Sequence, residues 1–251
     1  MISLVGIDGI PEVRPGDDLA ALIATALGAG AIGLTDADVL VVTQKVVSKA
    51  EGRVVELASV TPREEARAWA ARWGRDPRQV ELVLQESAEV LRMAHGGLII
   101  SRTRHGFVCA NAGVDLSNVG GGDAATLLPL DPDASARVLR ERLHELCGAS
   151  PAVIISDSFG RPWRNGIVNV AIGAAGIEAL LDLRGTLDVS GREMHSTVIA
   201  MADELASAAD LAGGKVTQRP VVLVRGYVFA AAEAGPGAAA LVMDRELDLF
   251  P

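Results

Sequence analysis

Apolar residues recur along this chain in two rhythms, and the stretches between them are polar or rich in Gly and Pro. Residues 2–7 read as a short strand, followed by a turn at Pro11 and Pro15. Asp17 or Asp18 is placed to cap a helix whose Leu19, Leu22, Ile23 and Leu27 repeat at helical spacing, with Gly28 as its stop. The unbroken apolar run VLVVTQ (39–44) predicts a buried strand. The segment after it carries Lys45 and Lys49 four apart, on one face if that segment is helical. Thr61, Pro62 at the first helical position, and Glu64 and Glu65 in the first turn predict a helix over 61–74.

The middle of the chain is mixed. Residues 79–93 fit a second helix or a strand leading into one, and the periodicity does not choose. Two apolar runs around Arg102–Gly106 predict a hairpin. Asp133–Cys147 repeats Val138, Leu139, Leu143 and Leu146 as a helix does. Residues 151–166 read as a buried strand ending in a polar loop, and 167–181 as small apolar residues packed closely. Residues 195–214 predict a long helix stopping at Gly213–Gly214, and 220–229 a late strand. An Ala/Gly/Pro stretch at 230–240 reads as a surface turn. Strands alternate with helices but also pair as hairpins, which favours a mixed α+β architecture over a uniformly wound parallel sheet.

Composition narrows the function classes. With 23 basic and 32 acidic residues the formal charge is −9, a poor balance for generic nucleic-acid binding, which rests on phosphate neutralisation. Two cysteines, Cys109 and Cys147, make no disulfide framework or zinc knuckle, and the N-terminus lacks a basic leader; cytoplasmic residence is the natural expectation. The uncharged stretch from Leu19 to Thr35 contains Gly28, Gly30 and Gly33 and is not expected to span a membrane. Those glycines fit G-x-G-x-x-G, but a helix precedes and a strand follows, the reverse of the dinucleotide-binding order. Gly214-Lys215 is followed by Val216, so no P-loop is present. His95, His105, His144 and His195 show no ligand spacing.

Four segments carry candidate chemistry. In 156–166, an apolar strand delivers Asp157 and the hydroxyls of Ser156 and Ser158, with Arg161 and Arg164 close behind. Carboxylate and hydroxyl oxygens suit Mg²⁺ or Mn²⁺, and arginines suit phosphate or carboxylate. A capping Asp-Ser turn with solvated arginines is the competing structural account. In 111–118, Asp115 offers a second carboxylate and Asn118 a polar contact, although both are common turn residues. In 43–53, Lys45, Lys49 and Arg53 follow a strand as a polyphosphate grip or as a solvated helix face. Gly213-Gly214-Lys215 offers a lysine and loop amides, against the repulsion of anions by a helix C-terminus.

Taken together, GIPEVRPGDD (9–18), VVTQKVVSKAEGR (41–53), NAGVDLSNVG (111–120), SDSFGRPWRNG (156–166) and AADLAGGK (208–215) resemble the coenzyme F-420-0:L-glutamate ligases, the F-420 γ-glutamyl ligases, in order and over essentially the whole chain. The resemblance implies a GTP- and metal-dependent ligase that attaches L-glutamate to coenzyme F-420-0 through an acyl phosphate, with K⁺ as monovalent cation. It implies two Mg²⁺ or Mn²⁺ ions held by Asp115, Asp157 and Ser158, with Asp115, Asp157, Arg161 and Arg164 as the catalytic set. It implies GTP contacts at Ile10, Pro11, Glu12, Val13, Gln44, Lys49 and Asn118, with Lys45, Gly214 and Lys215 as neighbours. Ser158 stands where Thr is common, and Gln44 where Ser also occurs. The fold implied is a two-domain α+β architecture in an intertwined homodimer, its subdomains about 1–80 plus the C-terminal strand and about 81–219, acting on small molecules without nucleic acid or membrane. The number of glutamates added stays open, as does a metal-dependent phosphohydrolase built from the same groups or a non-catalytic nucleotide-binding module.

Overall fold

The strands at the centre of the molecule are those whose sequence is apolar without interruption. The computed structural model describes residues 1–117 and 123–248, with His95 described by its backbone alone. A five-stranded sheet is built from β1 (Ser3–Gly6), β2 (Val39–Thr43), β8 (Ala152–Arg161), β9 (Arg164–Ala175) and β12 (Val221–Arg225), in the order β1-β12-β2-β8-β9. Alternate residues face opposite layers. Leu40, Val42, Val153, Ile155 and Leu223 pack under α1 (Leu19–Ala29) and α5 (Pro132–Cys147); Val39, Val41, Ile154, Val222 and Val224 pack on α6 (Met201–Gly213). Strands covered on both faces need apolar residues at every position, hence the lack of alternation in VLVV, AVII and VVLV.

A second apolar cluster joins α3 (Glu64–Trp73), α4 (Pro77–Glu86) and a three-stranded sheet of β4 (Ser87–Ala94), β5 (Leu98–Thr103) and β6 (Val108–Ala110) through Ala66, Trp69, Val80, Val83 and Ile99. The predicted hairpin is β5–β6. Between the two cores lie α2 (Gln44–Ala50) and the paired β3 (Val54–Glu56) and β7 (Ala124–Thr126). The small pair β10 (Leu181–Asp182) and β11 (Val198–Ile199) precedes α6. Mixed α+β architecture is therefore the observed class.

Several boundaries differ from the sequence reading. Asp18 caps α1 through the Ala21 amide, but the helix runs through Gly28 and closes at Gly30; with Leu27 buried, packing outweighs the modest cost of a mid-helix glycine. Helix α3 starts at Glu64 with Arg63 at its cap, leaving Thr61 and Pro62 outside. Residues 79–93 are a helix leading into a strand; Asp76 caps α4 and Pro77 opens it. The long helix begins at Met201, so exposed His195 lies outside it. Strand β12 stops before Gly226, where a side chain would meet the backbone of Met1. Within 230–240, Ala238 is buried and its amide, like that of Ala174, donates to Asp133, which ties this turn to the sheet.

The most consequential difference concerns 156–166. The strand does not end at the polar residues; β8 continues through Asp157, Ser158 and Phe159 to Arg161, turns at Pro162-Trp163, and returns as β9. Cross-strand pairing satisfies the backbone there, so polar side chains are carried on a ladder instead of a loop. The register shifts between Ile155 and Ser156, which places Ile172 as an extra residue in β9 opposite that step, one residue before Asp157.

Candidate functional site

Sheet direction brings the candidate residues together. β1 and β2 are both antiparallel to β12, and β2 is parallel to β8, so β1, β2 and β8 finish at the same end of the sheet, where β12 begins. Four segments meet there: the loop after β1 with Ile10, Pro11, Glu12 and Val13; the start of α2; Asp157 and Ser158 on β8; and the loop after α6 with Gly214 and Lys215. This carboxyl end is the usual ligand side of such sheets.

Asp115 arrives from the other core. Asn111, Ala112 and Gly113 take left-handed backbone at φ 51°, 50° and 73°, an unusual run that turns the chain after β6. A side chain at Gly113 would stand 2.7 Å from Leu128, so only glycine fits this turn. The Asp115 backbone then pairs with Thr126 through hydrogen bonds of 3.0 and 2.8 Å. Its Oδ2 lies 2.7 Å from Lys45 Nζ, and its Oδ1 accepts from the Ser117 amide at 2.7 Å. Burial raises the Asp115 pKa, but Lys45 and the Ser117 bonds outweigh it and hold the carboxyl below the ordinary range. Lys45 also donates to the Ser117 carbonyl and hydroxyl, each at 2.8 Å.

Asp157 behaves in the opposite way. Burial, with added repulsion from Asp115, pushes its carboxyl up to about 6, although the Ser158 amide, Lys215 and Lys45 pull it down. Two carboxylates near one another, one ionised and one reluctant to ionise, favour any cation placed between them. Lys215 Nζ contacts Ser158 Oγ, and Ser158 Oγ donates to Asn169 Oδ1 at 2.7 Å. Cys109 also neighbours Asp157; burial and that charge push its thiol up to about 12, so it is no nucleophile at neutral pH.

The remaining predicted residues divide. Lys49, on α2, is buried and pairs with Glu12 Oε1 at 2.5 Å. Gln44 is buried and donates to Ser48 Oγ at 2.5 Å and to the Leu127 carbonyl at 3.2 Å, clamping α2 to the segment after β7. Val13 is buried in the core beside partly buried Ile10, while Pro11 and Glu12 face solvent. Arg161 and Arg164 face each other across the tip of the β8–β9 hairpin, four residues and about 13 Å of strand beyond Asp157. Arg161 donates to the Asn165 carbonyl at 3.1 Å; among the described residues, no ion pair joins either arginine to Asp115 or Asp157. Asn118 lies outside the described residues. Sequence reasoning missed Asn169, buried opposite Ser158. Its signal was a lone amide inside the apolar run 167–172.

The oxygen chemistry suits a divalent cation. Asp115, Asp157 and Ser158 supply hard oxygen donors, and lysine ammonium groups already contact Asp115 and Ser158, marking positions where positive charge is stabilised. Among the described residues there is no group of three His, Cys, Asp or Glu side chains poised for a metal. A cation here would complete its shell from water or phosphate oxygens, as Mg²⁺ commonly does. Among the described residues no helix is long and apolar enough to cross a membrane.

Comparison with known proteins identifies the family. The family model described as F420-0:Gamma-glutamyl ligase matches residues 8–226, which include all four converging segments. A coenzyme F420:L-glutamate ligase of Methanothermobacter thermautotrophicus is 47% identical over 250 residues, covering 99% of this chain and 98% of the relative. One of the same name from Methanopyrus kandleri is 48% identical over 216 residues, covering 86% of this chain and 83% of that protein. A third, from Methanocaldococcus jannaschii, is 40% identical across 90% of this chain and 88% of its own length. The chain is a ligase and belongs to the F420-0:gamma-glutamyl ligase family.

Proposed function

We propose that this chain joins L-glutamate to coenzyme F420-0 at the expense of GTP, through an acyl phosphate on the acceptor carboxylate, with Mg²⁺ or Mn²⁺ at Asp115, Asp157 and Ser158. The observation that carries the reading is the meeting of those oxygens with Lys45 and Lys215 just past the carboxyl end of β2, midway along β8. A carboxylate and an ammonium do not condense at neutral pH, so the acceptor must be activated. Phosphoryl transfer asks for in-line placement and neutralised charge more than covalent help.

The chain's own groups supply both. Lys45, Lys49 and Lys215 are cations at the sheet end that can hold phosphate oxygens, and Gly214 lets the loop amides approach. The loop at Ile10–Val13 borders them, with Gln44 keeping α2 in place and Asn118 assigned to the same nucleotide. Asp115, Asp157 and Ser158 would hold divalent ions, which would supply positive charge to offset the charge that builds during transfer. Arg161 and Arg164 are assigned to substrate carboxylates lying along the hairpin. K⁺, further γ-linked glutamates, an intertwined homodimer of two-domain subunits and cytoplasmic residence belong to the same reading, supported by family resemblance.

The test is mass spectrometry of purified chain incubated with acceptor, L-glutamate, GTP and MnCl₂, with each component omitted in turn. The expected result is acceptor gaining glutamyl units, and phosphate released only when acceptor and glutamate are both present. Phosphate release without either would instead identify a phosphohydrolase.

A further inference from the structure

A hydroxyl has one proton to donate, and where that proton goes decides what its oxygen can bind. Ser158 Oγ gives its proton to Asn169 Oδ1 at 2.7 Å. Its lone pairs are thereby left for positive charge, and the Lys215 ammonium is found there. Asn169 is 5% exposed and stands directly across the ladder from Ser158.

The support behind Asn169 is itself built. Ser207 Oγ, on α6, donates to the Asn169 carbonyl at 2.6 Å. One turn earlier, Asp203 Oδ1 accepts from the Ala171 amide at 2.8 Å, at the register shift of β9. Helix α6 thus fixes the β9 backbone on both sides of Val170, and the loop after the same helix delivers Lys215. These bonds hold the main chain of Asn169, so its side chain is presented to Ser158 from an anchored position on the ladder.

We propose that Asn169 is a positioning residue for cation binding: its side-chain carbonyl takes the Ser158 proton and turns the hydroxyl oxygen into an acceptor aimed at the site. The inference rests on the reading that Ser158 helps hold a divalent ion. Residues that orient metal ligands typically change affinity by ~10–100-fold when removed.

The experiment is calorimetric titration of the purified full chain with MnCl₂, without nucleotide or acceptor. Asn169→Leu is expected to weaken Mn²⁺ binding by roughly tenfold or more. Asn169→Asp, which keeps an accepting oxygen, is expected to bind at least as tightly as the unaltered chain. In a Ser158→Ala background, Asn169→Leu is expected to have no further effect, an outcome that general loss of structure would not produce. Equal Mn²⁺ affinity in the unaltered chain and Asn169→Leu would overturn the role of Asn169 and leave the metal reading standing. Absence of Mn²⁺ binding by the unaltered chain would overturn both. If Asn169→Leu fails to fold, the comparison of Asn169→Asp with Asn169→Ser decides: similar affinities contradict the proposal.

Discussion

Lys45 Nζ lies 2.7 Å from Asp115 Oδ2, and that ion pair joins the first turn of α2, at the end of the central sheet, to the chain leaving β6. It joins the two cores at the point where the candidate chemistry sits. Both side chains are partly solvated, at 22% and 41% exposure. Such a pair is worth only ~0–1 kcal/mol to stability, so the geometry serves charge placement more than cohesion.

Lys45→Met is therefore expected to leave the unfolding midpoint nearly unchanged and to lower glutamyl transfer by ~10²–10³-fold, the usual cost of removing one preorganised charge from a reacting centre. Steady-state rates beside a thermal melt check this. A drop in melting temperature that accounts for the lost rate would contradict it.

Asp157 predicts an opposition between stability and function. Its carboxyl is raised from 3.8 to about 6, so folding favours the protonated form. In metal-free protein this group contributes fully below pH 4, and its contribution is lost as pH rises through 6. A shift of that size corresponds to at most ~3 kcal/mol. Asp157→Asn in EDTA is expected to be the more stable protein at pH 7.5, with the gap closing toward pH 4. Denaturant unfolding at the two pH values reads this directly.

Glu12 is exposed, yet its carboxylate sits 2.5 Å from the buried ammonium of Lys49. A triphosphate reaching Lys49 must compete with it. Glu12→Gln is expected to tighten GTP binding by roughly two- to tenfold, in keeping with the modest energy of a half-exposed pair, and Lys49→Met to weaken it. Calorimetry with GTP is the measurement; unchanged affinity in both variants would remove Lys49 from the nucleotide site.

The opposite end of the sheet supplies a control. Asp38, 1% exposed, receives hydrogen bonds from Thr35 and from Arg225 Nε at 2.8 Å and Nη2 at 2.7 Å. Arg225→Met strands this buried carboxylate and is expected to cost about 3 kcal/mol. KM values should stay unchanged, because the pair stands at the start of β2 and the end of β12, away from the converging loops.

Much of this was legible in the sequence wherever one local force acted alone. The apolar runs of β2, β8 and β12 announced buried strands, while the spacing of Lys45 and Lys49 fitted a helix without requiring one. The motifs at 111–118 and 156–166 named Asp115, Asp157 and Ser158, which the sheet and the turn after β6 bring together. The rest depended on partners distant in the chain. Polar Asp157 and Ser158 looked like the end of a strand because nothing nearby shows that β9 pairs with them. Gly28 looked like a helix stop because the core burying Leu27 is assembled from α5 and the sheet. Arg161 and Arg164 looked adjacent to Asp157 in sequence, yet four residues of extended chain carry them to a hairpin tip. Asn169 was hidden because its meaning lies in Ser158 across the ladder.

The most direct test measures GTP-dependent glutamyl transfer in Asp115→Asn and Asp157→Asn, each checked for a native melt. The expected result is loss of at least about a thousandfold in both, as when a charge-stabilising group leaves a reacting centre, with the fold intact. Near-normal transfer by either folded variant would contradict the assignment of this carboxylate pair to the reaction.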